Sequence, residues 1–209
     1  MPKVLQLISS SGFFGADNVL IELSKQLRNT NFSPLVGVFN NLHNPHLEIA
    51  AEAQKQDLLV KSFPCKGKFD LNSILMIRKF IEEQGINIIH SHGYKSNLYA
   101  SAASLGKKIS LVATCHNWLG TETKMKFYAR LDKFFLSRFD RIVAVSSKLR
   151  GEILKQNISP GKVFIINNGI DLERFQNGAD AKKIEREFNI DDRWRVIGTI
   201  GRLSRRKSP

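Results

Sequence analysis

Short apolar runs separated by longer amphipathic segments set the pattern of this chain. The runs are continuous rather than alternating, which is typical of strands in a parallel sheet that is buried on both faces. Strands are predicted at residues 4–8, 34–39, 58–63, 87–93, 111–118, 141–146, 163–166 and 195–201. Between them, apolar residues at steps of three and four predict helices. The predicted fold class is therefore α/β, a Rossmann-like parallel sheet with helices on both faces.

Three of the predicted helices are supported by further features of the sequence. Asp17 is predicted to cap a helix that runs through Leu27, and Asp70 to cap a longer one. Gly85 follows that longer helix, at the position where glycine is preferred. Residues 97–105 are small and apolar, which suits a packed crossover helix between two strands.

Histidines and small polar residues end two of the predicted strands. They are His90, Ser91 and His92 in one strand, and His116 and Asn117 in the next. The carboxyl ends of parallel strands meet at one edge of the sheet, where open α/β sheets bind ligands. We therefore expect these side chains to face a crevice.

The two histidines at alternate positions of one strand allow a metal pair as one interpretation. His90 and His92 share a face, but a further carboxylate or histidine would have to converge with them. The alternative is that His90 is packed and hydrogen-bonded while His92 borders the cleft. We favour this alternative and predict no metal site.

The loop at residues 9–16 joins the first strand to the first helix and contains Gly12 and Gly15. Free backbone N–H groups and the helix dipole make such a loop a good anion site. Two glycines do not make the three-glycine dinucleotide fingerprint, so a nicotinamide site is not indicated. The loop alone leaves a phosphate site and a plain surface turn equally open.

The net charge of +13 is the one extreme feature of the composition. It implies an anionic partner, such as a phosphorylated ligand or an acidic membrane surface. A nucleic-acid partner is not predicted, because the chain lacks a recognition helix and an array of aromatics in a basic groove. The two cysteines, Cys65 and Cys115, fit a reducing cytosol. Neither a signal peptide nor a membrane-spanning run is expected.

A segment at residues 121–139 combines an apolar stripe with basic residues. Phe127 belongs to the stripe, and Lys124, Lys126 and Arg130 lie beside it. The first interpretation is a core-facing helix with a solvated basic flank. The second is a membrane-surface helix, for which phenylalanine beside lysine and arginine is typical. Both hold if the helix lies at the rim of the domain.

The pattern divides the chain into three parts. Residues 1–168 are predicted to form one Rossmann-like domain, and residues 169–194 a linker with weak periodicity. Residues 195–209 are predicted to be the first strand and phosphate loop of a second domain. We expect the remainder of that domain to be missing from the chain.

Five motifs occur in register and together resemble one enzyme family. They are residues 88–93, Thr114-Cys115-His116, residues 140–146, Asn168-Gly169-Ile170-Asp171 with Phe175, and Gly201-Arg202-Leu203-Ser204 with Lys207. The chain resembles the retaining nucleotide-sugar glycosyltransferases of family 4, which have the GT-B fold. The resemblance implies two Rossmann-like domains across a cleft, with the acceptor held by the N-terminal domain and the nucleotide sugar by the C-terminal one.

The resemblance also implies roles for individual residues. Gly15 would lie close to the donor phosphates, and Arg202 and Lys207 would clamp the diphosphate, so no metal is required. His116 would be the catalytic residue that contacts the transferred sugar and the acceptor site. His92, Asn117 and Trp118 would line the acceptor cleft. One departure is Phe14 beside Gly15, where the family usually has paired glycines, and Phe14 would narrow the approach of a phosphate.

The implied function is sugar transfer to an envelope lipid or polysaccharide precursor, as in lipopolysaccharide biosynthesis. No cofactor is implied, since the nucleotide sugar is a substrate, and UDP and GDP both stay open as its nucleotide. The enzyme would be cytoplasmic and peripheral on the inner face of the cytoplasmic membrane. This chain would be mainly the acceptor-binding half and inactive alone. The alternative is a non-catalytic module that binds an anionic glycolipid or membrane surface.

Overall fold

A computed structural model describes residues 1–67, 69–116, 134–170, 172, 182–191, 193–194 and 196–198. The strands are β1 Lys3–Ile8, β2 Ser33–Asn41, β3 Leu59–Cys65, β4 Ile86–His92, β5 Ser110–Cys115, β6 Arg141–Ala144 and β7 Val163–Ile165. The helices are α1 Gly15–Arg28, α2 Glu48–Lys55, α3 Leu71–Gln84, α4 Tyr94–Ala103, α5 Ser147–Leu154 and α6 Lys183–Glu187, with a 3-10 turn at Pro160–Lys162.

The strands form one parallel sheet in the order β3-β2-β1-β4-β5-β6-β7. The strand order reverses between β1 and β4, because the chain first builds outward through β2 and β3 and then returns to the other side of β1. Ile8 pairs with His92 across this boundary, and His92 pairs with Thr114 of β5. Ligands of open α/β sheets bind outside the carboxyl ends of the strands at such a switch point. The predicted fold class is confirmed.

Apolar cores lie on both faces of the sheet, as the continuous apolar runs predicted. Successive side chains of a strand point to opposite faces. Accordingly, Leu5 and Leu7 of β1 belong to a core cluster that includes residues of α3 and α4. Ile8 belongs to a separate cluster with Leu20 and Ile21 of α1. Helices therefore cover both faces of the sheet, and its strand ends are the part that can contact a ligand.

The ends of α3 are those that the sequence predicted. The Asp70 carboxylate accepts hydrogen bonds from the backbone amides of Asn72 at 2.9 Å and Ser73 at 3.4 Å. Gly85 follows the helix at φ +63°, in the left-handed region that favours glycine.

The start of α1 differs from its prediction. The helix begins at Gly15, so Asp17 lies in its first turn instead of preceding it. Oδ2 of Asp17 accepts a hydrogen bond from the backbone amide of Phe14 at 2.9 Å. The prediction of Asp17 as N-cap is wrong, because its carboxylate satisfies the start of the helix by reaching back from the third helical position.

Two predicted elements lie mainly outside the described residues. The predicted helix at 121–139 is described only from residue 134 onward. The predicted eighth strand at 195–201 is described only at residues 196–198, which are not in a strand. Residues Met1–Ile170 form one compact unit and Asp171–Pro209 a second. The boundaries at 168 and 194 stay predictions. Among the described residues, we find no helix with the length and apolar character needed to span a membrane.

Candidate functional site

Two histidines from neighbouring strands meet at the carboxyl edge of the sheet. Nδ1 of His92, at the end of β4, lies 3.0 Å from Nε2 of His116, which directly follows β5. The two rings are stacked, with centroids 5.3 Å apart. On its other side, Nε2 of His92 lies 3.0 Å from Oε1 of Gln6 in β1. Three adjacent strands therefore contribute to one hydrogen-bonded chain that ends at His116.

The third histidine lies beside this chain. Nε2 of His90 is 2.8 Å from Oγ1 of Thr114, and the His90 ring centroid is 4.5 Å from that of His92. The predicted order of burial is reversed, because His92 is only 3% exposed whereas His90 is half-buried. The physical reason is that His92 is enclosed between Gln6 and His116. The place of His92 in an acceptor cleft stays a prediction.

Burial keeps all three imidazoles neutral at pH 7. Desolvation, with a smaller effect of His116, lowers the pKa of His90 to about 4. Desolvation holds the pKa of His92 well below its usual value, and it also lowers the pKa of His116. Neutral imidazoles do not attract a phosphate as cations do, but each has one donor and one acceptor nitrogen. The cluster is therefore suited to hydrogen bonds with uncharged groups such as sugar hydroxyls.

Ser91 does not share this site, contrary to our expectation. Its side chain lies on the opposite face of β4, fully buried under α4, where its hydroxyl donates to Oδ1 of Asn97 at 2.6 Å. The alternation of side chains along a strand separates it from both neighbouring histidines. Within the part of the chain that the structure describes, no group of three or more histidine, cysteine or acidic side chains is placed to hold a metal ion.

The loop after β1 and the start of α1 lie at the same edge as the histidines. The ring of Phe14 packs against Gly12, whose φ is +146° and where an added Cβ would lie 2.9 Å from that ring. An added Cβ at Gly15 would meet no atom within 4 Å. Phe14 is therefore turned toward Gly12 and leaves the space beside Gly15 open. The backbone amides of Gly15 and Ala16 have no carbonyl partner within the helix and suit an anion.

Asp17 adds a buried carboxylate to this helix start. It is 3% exposed, and desolvation is the main cause of its raised pKa. Its Oδ1 is buried and has no hydrogen-bond partner among the described residues, and the same holds for Nδ1 of His116 and Nε2 of Gln6. Unsatisfied buried polar atoms call for an explanation in a native structure. These three atoms lie on elements that meet at the switch point, while others among the described residues belong to Asn40, Ser96 and Ser101.

Of the predicted site residues, the structure places Gly15, His92 and His116 at one edge of the sheet. The others lie outside the described residues, and their roles stay predictions: Asn117, Trp118, Lys124, Lys126, Phe127, Arg130, Arg202 and Lys207.

The sequence analysis missed Gln6 and Thr114 as hydrogen-bond partners of the histidines. Gln6 is the only polar residue in the run Val4-Leu5-Gln6-Leu7-Ile8, and it is fully buried. A lone polar residue within a buried apolar strand needs a hydrogen-bond partner, which was the available signal. Thr114 carries no comparable signal, since threonine is common in strands.

Comparison with known proteins agrees with this fold. The model of glycosyltransferase family 4 matches residues 15–174. A relative from Escherichia coli, the UDP-Gal:α-D-GlcNAc-diphosphoundecaprenol α-1,3-galactosyltransferase, is 27% identical over 149 residues, which cover 67% of this chain and 38% of the relative. The chain thus spans well under half of that relative's length.

Solved structures share the fold at low sequence identity. The Anabaena protein HepE in complex with UDP-glucose is 19% identical with a TM-score of 0.73, covering 90% of this chain and 50% of its own. A glycosyltransferase from Rickettsia africae is 17% identical with a TM-score of 0.70, covering 91% of this chain and 50% of its own. The fold is therefore that of the N-terminal part of a GT-B glycosyltransferase. Since the family model covers most of its length, the chain belongs to glycosyltransferase family 4.

Proposed function

We propose that this chain is the acceptor-binding half of a retaining glycosyltransferase that moves a sugar from UDP to a lipid-linked diphosphate-sugar precursor. The observation that carries the proposal is the neutral His92–His116 pair at the switch point of a family 4 sheet. The Escherichia coli relative is named for a UDP-galactose donor and a GlcNAc-diphosphoundecaprenol acceptor, and HepE was solved with UDP-glucose. Both support UDP over GDP.

In this proposal His116 contacts the hydroxyl groups of the transferred sugar. Its lowered pKa keeps the ring uncharged, which suits a hydroxyl better than a phosphate. The charge that develops on the departing diphosphate is stabilised elsewhere, by Arg202 and Lys207 and by the free amides near Gly15. Preorganised cations and amides stabilise leaving charge without reorganising at the moment of reaction, so the proposal requires no metal.

The proposal is tested by joining the chain to a family 4 donor-binding domain, for example that of the Escherichia coli relative. We call this protein the joined enzyme. It is expected to transfer a labelled sugar from a UDP-sugar to GlcNAc-diphosphoundecaprenol with retention of the anomeric configuration, whereas the 209-residue chain alone transfers none. An inverted product would contradict the retaining mechanism. Transfer at full rate by the chain alone would contradict the proposal that a separate domain binds the donor.

Replacing Gly15 by alanine separates donor binding from folding. The added methyl group has free space, and alanine favours a helix over glycine by up to about 1 kcal/mol. The free energy of unfolding is therefore expected to stay the same or rise. The methyl group would crowd a donor phosphate on the helix start, so the KM of the joined enzyme for the UDP-sugar is expected to rise about tenfold. Gly161→Ala, at another glycine with open space, is the matched control. An unchanged KM would remove Gly15 from the donor site.

A second candidate function, binding to an anionic membrane surface, is favoured by the net charge of +13. The same contact would hold the enzyme on the inner face of the cytoplasmic membrane, where it would meet a lipid-linked acceptor. Lys124, Lys126, Phe127 and Arg130 are the proposed contact residues. The chain is expected to sediment with vesicles that contain anionic lipid and to be released by salt, since exposed charges are screened within about 10 Å at 0.1 M. Equal sedimentation with neutral vesicles would exclude an electrostatic surface.

A further inference from the structure

The buried side chains of Gln6 and His92 are linked to His116 by hydrogen bonds. Gln6 is 0% exposed and His92 is 3% exposed, and the two hydrogen bonds that join Gln6 to His92 and His92 to His116 are each 3.0 Å long. Neither Gln6 nor His92 is placed to contact a substrate from this position. Their effect on a reaction must therefore act through His116.

The chemistry of the Gln6 amide sets the direction of both hydrogen bonds. The amide is placed with its oxygen Oε1 toward His92, and in this placement it can only accept, so Nε2 of His92 would carry a hydrogen. The reverse placement of the amide would reverse both hydrogen bonds. Since burial keeps His92 neutral, its other nitrogen Nδ1 has a lone pair and accepts from Nε2–H of His116. His116 is also neutral, and its one hydrogen is then used in this bond. Its Nδ1 is left as a bare acceptor.

The chain of hydrogen bonds ends at Nδ1 of His116. Nδ1 of His116 is buried and has no donor among the described residues. Leaving a buried acceptor unsatisfied is unfavourable, so a ligand that supplies a donor to this nitrogen is favoured. Sugars carry hydroxyl groups, which are donors of suitable size.

We propose that Gln6 and His92 are positioning residues that fix His116 in the tautomer with its hydrogen on Nε2, so that Nδ1 accepts a hydrogen bond from a hydroxyl group of the sugar substrate. The identity of this ligand rests on the proposed function, whereas the tautomer is a property of the unliganded chain. His116 then orients a hydroxyl group and does not supply a proton to the departing diphosphate.

A long-range nitrogen–proton NMR spectrum of the labelled 209-residue chain tests the tautomer directly, because it distinguishes a bare ring nitrogen from a protonated one. The expected result is a hydrogen on Nε2 and none on Nδ1 in both His92 and His116. A hydrogen on Nδ1 of His116 would overturn the proposal, since the hydrogen-bond chain would then run in the opposite direction.

Two variants separate positioning from packing. Gln6→Leu removes the acceptor and is expected to give a mixture of tautomers at His92 and His116. Thr114→Val is the matched control, because it removes the partner of His90 and leaves the chain of hydrogen bonds intact. A single unchanged tautomer in Gln6→Leu would overturn the role of Gln6.

The joined enzyme supplies the kinetic readout. Gln6→Leu is expected to lower kcat about tenfold or more with little change in the KM for the UDP-sugar, as for other partners that orient a functional histidine. An unchanged kcat in Gln6→Leu, together with a mixed tautomer, would overturn the positioning role. A wild-type joined enzyme that transfers no sugar would contradict the proposed function while the NMR result on the tautomer stands.

Discussion

Replacing His116 by alanine in the joined enzyme is expected to lower turnover by about 100-fold or more, while the affinity for the UDP-sugar stays nearly the same. The reason is that His116 orients the reacting sugar, and a small misplacement of a reacting group costs about 100-fold in rate. Affinity for the nucleotide comes mostly from the second domain in this account. The measurement is steady-state kinetics, with equilibrium binding of the UDP-sugar in parallel.

The matched control for this variant is His43→Ala. His43 is exposed in the loop after β2. In the sheet, β2 lies two strands away from β4. Both variants remove one imidazole from a strongly basic chain, so a shared effect would indicate charge or solubility. Unchanged turnover in His116→Ala would remove His116 from the mechanism.

Lowering the pH from 7 to 5 is expected to reduce the free energy of unfolding of the 209-residue chain by about 2 kcal/mol through His90 alone. The pKa of His90 is about 4 in the folded chain against an ordinary value of 6.5, so the unfolded chain binds more protons over this interval. The stabilisation is complete above the unfolded pKa and is lost as the pH falls toward the folded one. The lowered pKa values of His92 and His116 act in the same direction.

Urea denaturation at several pH values measures this effect. His90→Gln keeps a hydrogen-bonding side chain beside Thr114 but cannot gain a proton, so its stability is expected to depend less steeply on pH between 7 and 5. His43→Gln, which makes the same exchange at an exposed position, is the control. Asp17 acts in the opposite direction, because burial raises its pKa and the folded chain then binds a proton more readily than the unfolded one. This contribution is common to wild type and His90→Gln, so the difference between their slopes reports on His90. An identical slope in His90→Gln and wild type would contradict a neutral His90 in the folded chain.

The sheet could be predicted from the sequence because its strands are marked by continuous apolar runs and its helices by periodicity. The cap at Asp70 and the left-handed Gly85 were equally predictable, since each depends on a local preference of one residue type. Local preference failed at Asp17, where an acidic residue fits either before a helix or in its first turn. The contact of its carboxylate with the Phe14 amide decides between the two.

The edge of the sheet that carries the site was also predictable, because histidines end two neighbouring strands. The arrangement within the site was not. Strand periodicity places His90 and His92 on one face, but only the register with β1 and β5 encloses His92 between Gln6 and His116. Burial of His92 therefore depends on residues more than 20 positions away along the chain. A single sequence does not show such pairing.

Titration of the 209-residue chain with a short-prenyl GlcNAc diphosphate tests the central claim, that this half of the enzyme binds the acceptor. The imidazole NMR signals of His92 and His116 are the readout, and inorganic pyrophosphate is the control for simple attraction to a basic chain. We expect the acceptor analogue to shift the His116 signals, while pyrophosphate leaves them unchanged and a UDP-sugar binds much more weakly. Preferential binding of the UDP-sugar, or shifts that pyrophosphate reproduces in full, would contradict an acceptor-binding half.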